Sequence, residues 1–265
     1  MIMQKLERQL NDFLLEQTGD FAIVVKDLQT KETLSINEEK IFPSASLIKL
    51  PILITLFEQV QQGQFTLSDT LTLEKKSVVL GSGILKELTR PHRFSLYELA
   101  MLMIIVSDNT ATNLLIDYLS MEKINQAIHR LGLKQTKLQR KMMDNNARKA
   151  GKENVTTAKE MTNLFEQIAL GKCIDIQASS AMYEILSKQQ VKGGLDRYLP
   201  QEIKIAHKTG DLDRLEHDCG IIYFDQTRYV VSILTNAVTS NQKGREIIGS
   251  LSKIIFDFLT RNNRN

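Results

Sequence analysis

Ser46-Leu-Ile-Lys49 places a hydroxyl and an amine three residues apart. At that spacing the two side chains share one face of a helix, a turn from each other. The helix they open is apolar nearly all round, through Leu47, Ile48, Leu50, Ile52, Leu53, Ile54, Leu56 and Phe57, and is expected to be buried on most sides. Lys49 is then a cation in apolar surroundings, and desolvation drives it toward a neutral amine. A neutral amine beside a hydroxyl can act as its base. The free backbone N–H groups of a helix N-terminus can also stabilise a developing oxyanion. The tetrapeptide by itself discriminates little, because Ser-x-x-Lys also begins at Ser120, Ser240 and Ser250. Burial of the helix is what favours Ser46.

Ser107-Asp108-Asn109 follows the apolar run Leu99-Ala-Met-Leu-Met-Ile-Ile-Val. It reads equally as a helix cap, since Ser, Asp and Asn favour N-termini and a helix begins here. The chemical reading makes Ser107 a proton relay to a leaving group and Asn109 a contact for a substrate amide. Lys208-Thr209-Gly210 ends the strand Ile203-Lys-Ile-Ala. A lysine and a hydroxyl on a strand edge can anchor a carboxylate, and glycine permits close backbone approach. The bland alternative is an ordinary strand end and turn.

Ser-x-x-Lys, Ser-Asp-Asn and Lys-Thr-Gly in this order are the trio of class A β-lactamases and penicillin-binding proteins. The chain resembles that family beyond the trio. Phe42-Pro-Ser-Ala-Ser-Leu-Ile-Lys-Leu-Pro-Ile and Ile105-Val-Ser-Asp-Asn-Thr-Ala-Thr-Asn-Leu-Leu-Ile look like its nucleophile and second-motif segments. The resemblance implies that Ser46 attacks a carbonyl to form an acyl-enzyme, with Lys49 as proton acceptor or relay. It implies that Ser107 passes a proton to the departing nitrogen and that Asn109 holds the acyl side chain. Lys208 and Thr209 would bind the substrate carboxylate. The backbone N–H groups of Ser46 and of Asp211, just after Gly210, would form the oxyanion hole.

One segment departs from the family pattern. Active class A enzymes carry a glutamate on a loop between the second and third motifs, with an asparagine four residues later. Counting back from Thr156-Thr157 without gaps puts Met142 at the glutamate's place and Asn146 at the asparagine's. A thioether takes no proton from water, and general base catalysis is worth about 10²–10⁴-fold. Acylation survives such a loss through Lys49, whereas deacylation is expected to be slow unless another carboxylate substitutes. Asp144 is the nearest candidate and Glu153 the next, the alternative for Asp144 being a loop ion pair with Arg140. Arg140-Lys-Met-Met-Asp itself resembles a β-lactamase-related subgroup of serine hydrolases.

Around these motifs the chain predicts one antiparallel sheet. Phe21–Asp27 and Glu32–Asn37 read as strands at the front, followed by Ile203–Lys208, Cys219–Phe224 and Tyr229–Leu234 at the back. The patterns between them are helical, and amphipathic helices stand at both ends. The expectation is an α/β fold, with a five-stranded antiparallel sheet flanked by terminal helices over about 1–43 and 200–265. An all-helical subdomain over about 44–199 completes a β-lactamase/transpeptidase-like domain, with the site in the cleft between the two. Gly81-Ser-Gly-Ile-Leu is expected to rim that cleft. His217-Asp218 is read as a structural pair or turn before a strand, and Met101, Met103, Met142, Met143 and Met161 as core filler.

Bulk composition narrows the partners. A net charge of +3 over 265 residues without a long basic run argues against nucleic acid. Four histidines without ligand spacing argue against a metal, and nothing calls for a cofactor. Cys173 and Cys219 are two thiols and not a disulfide framework. The longest apolar run has eight residues, too few to span a bilayer. No uninterrupted apolar core follows Met1-Ile-Met-Gln-Lys, so the chain reads as cytoplasmic, a monomer acting on a small-molecule substrate. The same serine also fits an intracellular D-amino-acid peptidase or esterase, or a penicillin-binding sensor acylated without turnover.

Overall fold

Alternating side chains along five segments build a sheet with two apolar faces. The structure, a computed structural model, describes residues 2–89, 91–224 and 227–262. The chain begins with α1 (Ile2–Leu15), β1 (Asp20–Asp27), β2 (Thr33–Ile36) and β3 (Phe42–Pro43). A 3-10 turn (Ala45–Ile48) leads into α2 (Lys49–Gln61), then β4 (Thr70–Leu73) and β5 (His92–Ser95). Helices α3 (Leu96–Ile105), α4 (Asn109–Leu119), α5 (Met121–Arg130) and α6 (Asn145–Lys149) precede β6 (Val155–Thr156). There follow α7 (Ala158–Ala169), α8 (Ile176–Ser187), β7 (Lys204–Leu212), β8 (Leu215–Phe224), β9 (Thr227–Asn236) and α9 (Asn241–Asn262).

The five long strands pair antiparallel in the order β2-β1-β9-β8-β7. Ala22, Val24, Cys219, Ile221, Val230 and Leu234 face the helical layer and join its core around α2, α3 and α7. Phe21, Ile23, Val25, Ile222, Val231 and Ile233 face the other way, onto Leu6 and Leu10 of α1 and Ile247, Leu251 and Ile255 of α9. A one-residue slip in register would exchange these two sets, so both cores pin it. Strand β7 closes one side of the sheet, and its free edge runs past the 3-10 turn at Ser46.

The five-stranded antiparallel sheet and its flanking helices match the expected fold. Three details differ. The helical region also carries two short ladders, β3–β6 through Phe42 and Thr156, and β4–β5 through Thr70 and Ser95. Strands of two and four residues are too short to leave a clear alternation in sequence. Strand β8 starts at Leu215, which puts His217 and Asp218 inside it rather than before it. Among the described residues, no helix is long and apolar enough to cross a membrane.

Candidate active site

Ser46 sits in the 3-10 turn and Lys49 begins α2 directly after it. In 3-10 geometry residues i and i+3 eclipse, so the turn lines the two side chains up more strictly than an α-helix would. Ala45 holds φ at 45°, a left-handed conformation that turns the chain just before the serine. His217 pins the approach from below, its Nε2 lying 2.8 Å from the Pro43 carbonyl. Ser46 is half-buried, and among the described residues its hydroxyl makes no hydrogen bond.

Lys49 is fully buried. Its Nζ lies 2.7 Å from the Ser107 carbonyl, 2.9 Å from Asn109 Oδ1 and 3.0 Å from Ser107 Oγ. Burial, and then the neighbouring Lys208 charge, hold this amine well below the ordinary lysine range, against the opposing pull of Asp108 and Asp211. Lys208 is also fully buried and reaches the same Ser107 Oγ at 3.2 Å, while donating to the Thr209 carbonyl at 2.8 Å. Burial brings its pKa down to about 8, against the opposing pull of Asp211 and Asp218. One hydroxyl therefore joins two amines of depressed basicity.

The Ser-Asp-Asn segment satisfies both readings of its sequence, each through different residues. Asp108 caps α4, accepting from Ala111 N at 2.9 Å. Its other oxygen accepts from Ile84 N and Leu85 N at 2.7 and 2.8 Å, tying down the glycine-rich rim. Gly83 is required there, since an added Cβ would stand 2.2 Å from Asp108 Oδ2. Ser107, at φ 55°, and Asn109 turn instead toward Lys49. The Asn109 amide also donates to the Leu80 carbonyl at 3.3 Å, so both its ends are engaged.

A cleft of about 370 Å³ opens on Ser46, lined also by Gly81, Ser82, Asn109, Met142, Met143, Asp211 and Asp213. Gly210 lets β7 pass close by: a Cβ there would fall 3.1 Å from Ser46 N and 3.2 Å from Ala45 Cβ. A larger hollow of about 690 Å³ lies around Tyr183, Ser187 and Ile205, and it holds none of the three motifs. His207, just before Lys208, faces Asp218 across β7 and β8 at 2.8 Å. The sequence suggests a pair between Asp218 and its chain neighbour His217, but strand alternation sends His217 to the opposite face.

Met142 is buried and lines the cleft. Arg140 ion-pairs with Glu153, not with Asp144, at 2.7 Å. Asp144 is exposed and caps α6 through Ala147 N, and Asn146 is exposed in the same short helix. Neither is among the residues lining the cleft. Met143 is 43% exposed at the cleft mouth and is not core filler, unlike Met103 and Met161. Asn113 and Asn154, which sequence reading passed over, hold this loop: Asn154 Oδ1 accepts from Gln139 N and Arg140 N at 2.7 and 3.0 Å. Asn113 was detectable, because it lies four residues after Asn109, on the same face of α4. Cys173 and Cys219 are buried thiols, and burial pushes Cys173 up to about 12.

The comparisons with known proteins bear on family and fold. A family model described as the beta-lactamase enzyme family matches residues 5–259. β-Lactamase AER-1 of Aeromonas hydrophila is 27% identical over 191 residues, a match covering 71% of this chain and 63% of that enzyme. Among solved structures, a β-lactamase from Sphaerobacter thermophilus superposes with a TM-score of 0.89 at 28% identity, covering 96% of each chain. A leucine-to-glutamate mutant of PBP-A, solved as an acyl-enzyme complex with penicillin G, gives 0.89 at 26% identity over 97% of each chain.

Proposed function

The chain belongs to the beta-lactamase enzyme family, and from that premise we propose that it is a serine hydrolase acylated at Ser46 by β-lactams or related carboxylate-bearing amides and esters, with slow release of the acyl group. The observation that carries the reading is the buried Lys49 amine, in contact with Ser107 and Asn109 and three residues from an unpartnered Ser46. Its three contacts suit a neutral amine. The Ser107 carbonyl and Asn109 Oδ1 can only accept and so take its two N–H groups, and its single lone pair turns from the Ser107 hydroxyl to the Ser46 hydroxyl for proton transfer.

In acylation, Ser46 Oγ forms a bond to the substrate carbonyl carbon and Lys49 takes up the hydroxyl proton. The developing oxyanion meets the N–H groups of Ser46 and Asp211, between which Gly210 keeps space free. The carbonyl–nitrogen bond then breaks. Its nitrogen takes the Ser107 proton, which Lys49 replaces, while Lys208 holds Ser107 and the substrate carboxylate. Deacylation needs an activated water, and Met142 offers it no base.

Met142 also gives weight to a second reading, a protein acylated once that signals rather than turns over. Intact mass after benzylpenicillin, with hydrolysis of a chromogenic cephalosporin, separates these outcomes. Slow but measurable hydrolysis, with an adduct that vanishes in Ser46→Ala, supports the hydrolase; a permanent adduct supports the signalling protein. Hydrolysis or labelling undiminished in Ser46→Ala would sink both.

A further inference from the structure

We propose that Gln189 is a positioning residue for the second half of acylation, holding Ser107 against Lys208 while the leaving group takes its proton. Gln189 lies just past the end of α8 and is buried. Its Nε2 donates to the Ile104 carbonyl at 3.1 Å and to the His207 carbonyl at 3.3 Å. Its Oε1 accepts from Gln190 N and Val191 N at 3.1 and 3.0 Å. Both donors and both acceptor sites of the amide are therefore used.

The two carbonyls belong to the elements that carry the second and third motifs. Ile104 sits in the last turn of α3, three residues before Ser107, where helix carbonyls lack intrahelical partners. Gln190 N takes the next of them, that of Ile105, at 2.9 Å. His207 precedes Lys208 in β7, and Asp218 of β8 meets its Nδ1 at 2.8 Å. One buried amide thus ties the helical layer to the sheet beside the 3.2 Å contact between Lys208 Nζ and Ser107 Oγ. Attack by Ser46 uses Lys49, whereas expulsion uses Ser107. As the bond from the carbonyl carbon to the leaving atom breaks, the leaving atom keeps the electron pair and takes the Ser107 proton. Lys49 returns to Ser107 the proton it accepted from Ser46. Loosening the clamp therefore slows leaving groups that need a proton more than those that do not.

The inference rests on acyl transfer at Ser46. Its test compares two phenylacetyl esters on the full chain. One, of 3-hydroxy-5-nitrobenzoate, leaves as a stable phenolate; the other, of 3-(hydroxymethyl)benzoate, needs a proton to leave. Acylation rates are divided by each ester's rate in hydroxide. The readout is the ratio of the nitro ester to the benzylic ester, from which a general loss of activity cancels. General acid catalysis contributes about 10²–10⁴-fold, and misplacing a reacting group by 1 Å can cost about 10²-fold. The ratio should therefore rise at least roughly tenfold in Gln189→Met. The rise should vanish when the same substitution is made in Ser107→Ala, because no proton is then left to misplace. If Gln189→Met does not fold, Gln189→Glu replaces it, since it keeps the acceptor for Gln190 and Val191 and loses both donors. A ratio unchanged by the Gln189 variant, or a rise that persists in Ser107→Ala, overturns the inference and leaves acyl transfer standing. If neither ester labels Ser46 in the unaltered chain, both fall.

Discussion

Asn113 grips Met142 by both of its backbone polar atoms, accepting from the amide at 2.8 Å and donating to the carbonyl at 3.0 Å. A side chain on the rigid helix α4 thereby fixes the loop residue that stands where the resemblance calls for a glutamate. The resemblance calls for a water-activating side chain at this place, and the thioether supplies none.

Met142→Glu is therefore expected to speed deacylation without a change of fold. A correctly placed base contributes about 10²–10⁴-fold, so even an imperfect fit should shorten the life of a penicilloyl adduct at least roughly tenfold. Decay of the adduct followed by intact mass gives the answer. An unchanged lifetime would mean that the hydrolytic water does not approach from the Met142 side.

Asn113→Leu should loosen the same loop. It removes both partners of a buried backbone pair, a loss worth about 1–3 kcal/mol for each group left unsatisfied. Urea unfolding should show the destabilisation, and proteolysis should find a new site between Arg140 and Asn154. An unaltered midpoint together with unaltered cleavage would contradict the gripping role.

Asp144→Asn should leave deacylation as it is, because the carboxylate is occupied in capping α6. Asparagine caps a helix about as well as aspartate. A clear slowing of adduct release in this variant would instead require the loop to bring Asp144 into the cleft during turnover.

Ser46 and Lys49 were legible because a polar pair inside an otherwise apolar helix has few structural explanations. The sheet was legible because each long strand alternates against two cores. What sequence hid depends on partners distant along the chain. Asp218 looked like the companion of His217 until the start of β8 at Leu215 sent it to His207. Arg140 looked like a partner for Asp144, four residues on, whereas the loop folds back to deliver Glu153.

Gly210→Ala tests the close passage of β7. Its methyl would sit 3.1 Å from Ser46 N, so the turn or the strand must shift by a few tenths of an ångström. Such overpacking costs about 1–3 kcal/mol. Acylation should suffer more, since misplacing a reacting group by 1 Å can cost about 10²-fold. An acylation rate within twofold of wild type would show that Ser46 and β7 need not keep this spacing.

The pH dependence of acylation follows from the two buried lysines. Lys49 must be neutral to accept the Ser46 proton, and its depressed pKa keeps that form available as pH falls toward neutrality. Lys208 must be charged to hold the substrate carboxylate, and with a pKa of about 8 it loses that charge above this pH. Acylation should therefore be limited on the acid side by Lys49 and decline above about pH 8 with Lys208. The two limbs belong to the coupled set that shares Ser107. Unfolding would not explain the alkaline decline. A lysine titrates near 10.4 in the unfolded chain, so between about pH 8 and that value the unfolded state binds more protons. Stability due to this group then rises with pH. Lys208→Arg keeps its charge throughout this range. The variant should move the alkaline limb to higher pH, even if its longer side chain lowers the overall rate. Acylation rates from pH 5 to 10, measured alongside thermal melts, make the comparison. An alkaline limb that stays in place in Lys208→Arg would assign it to another group.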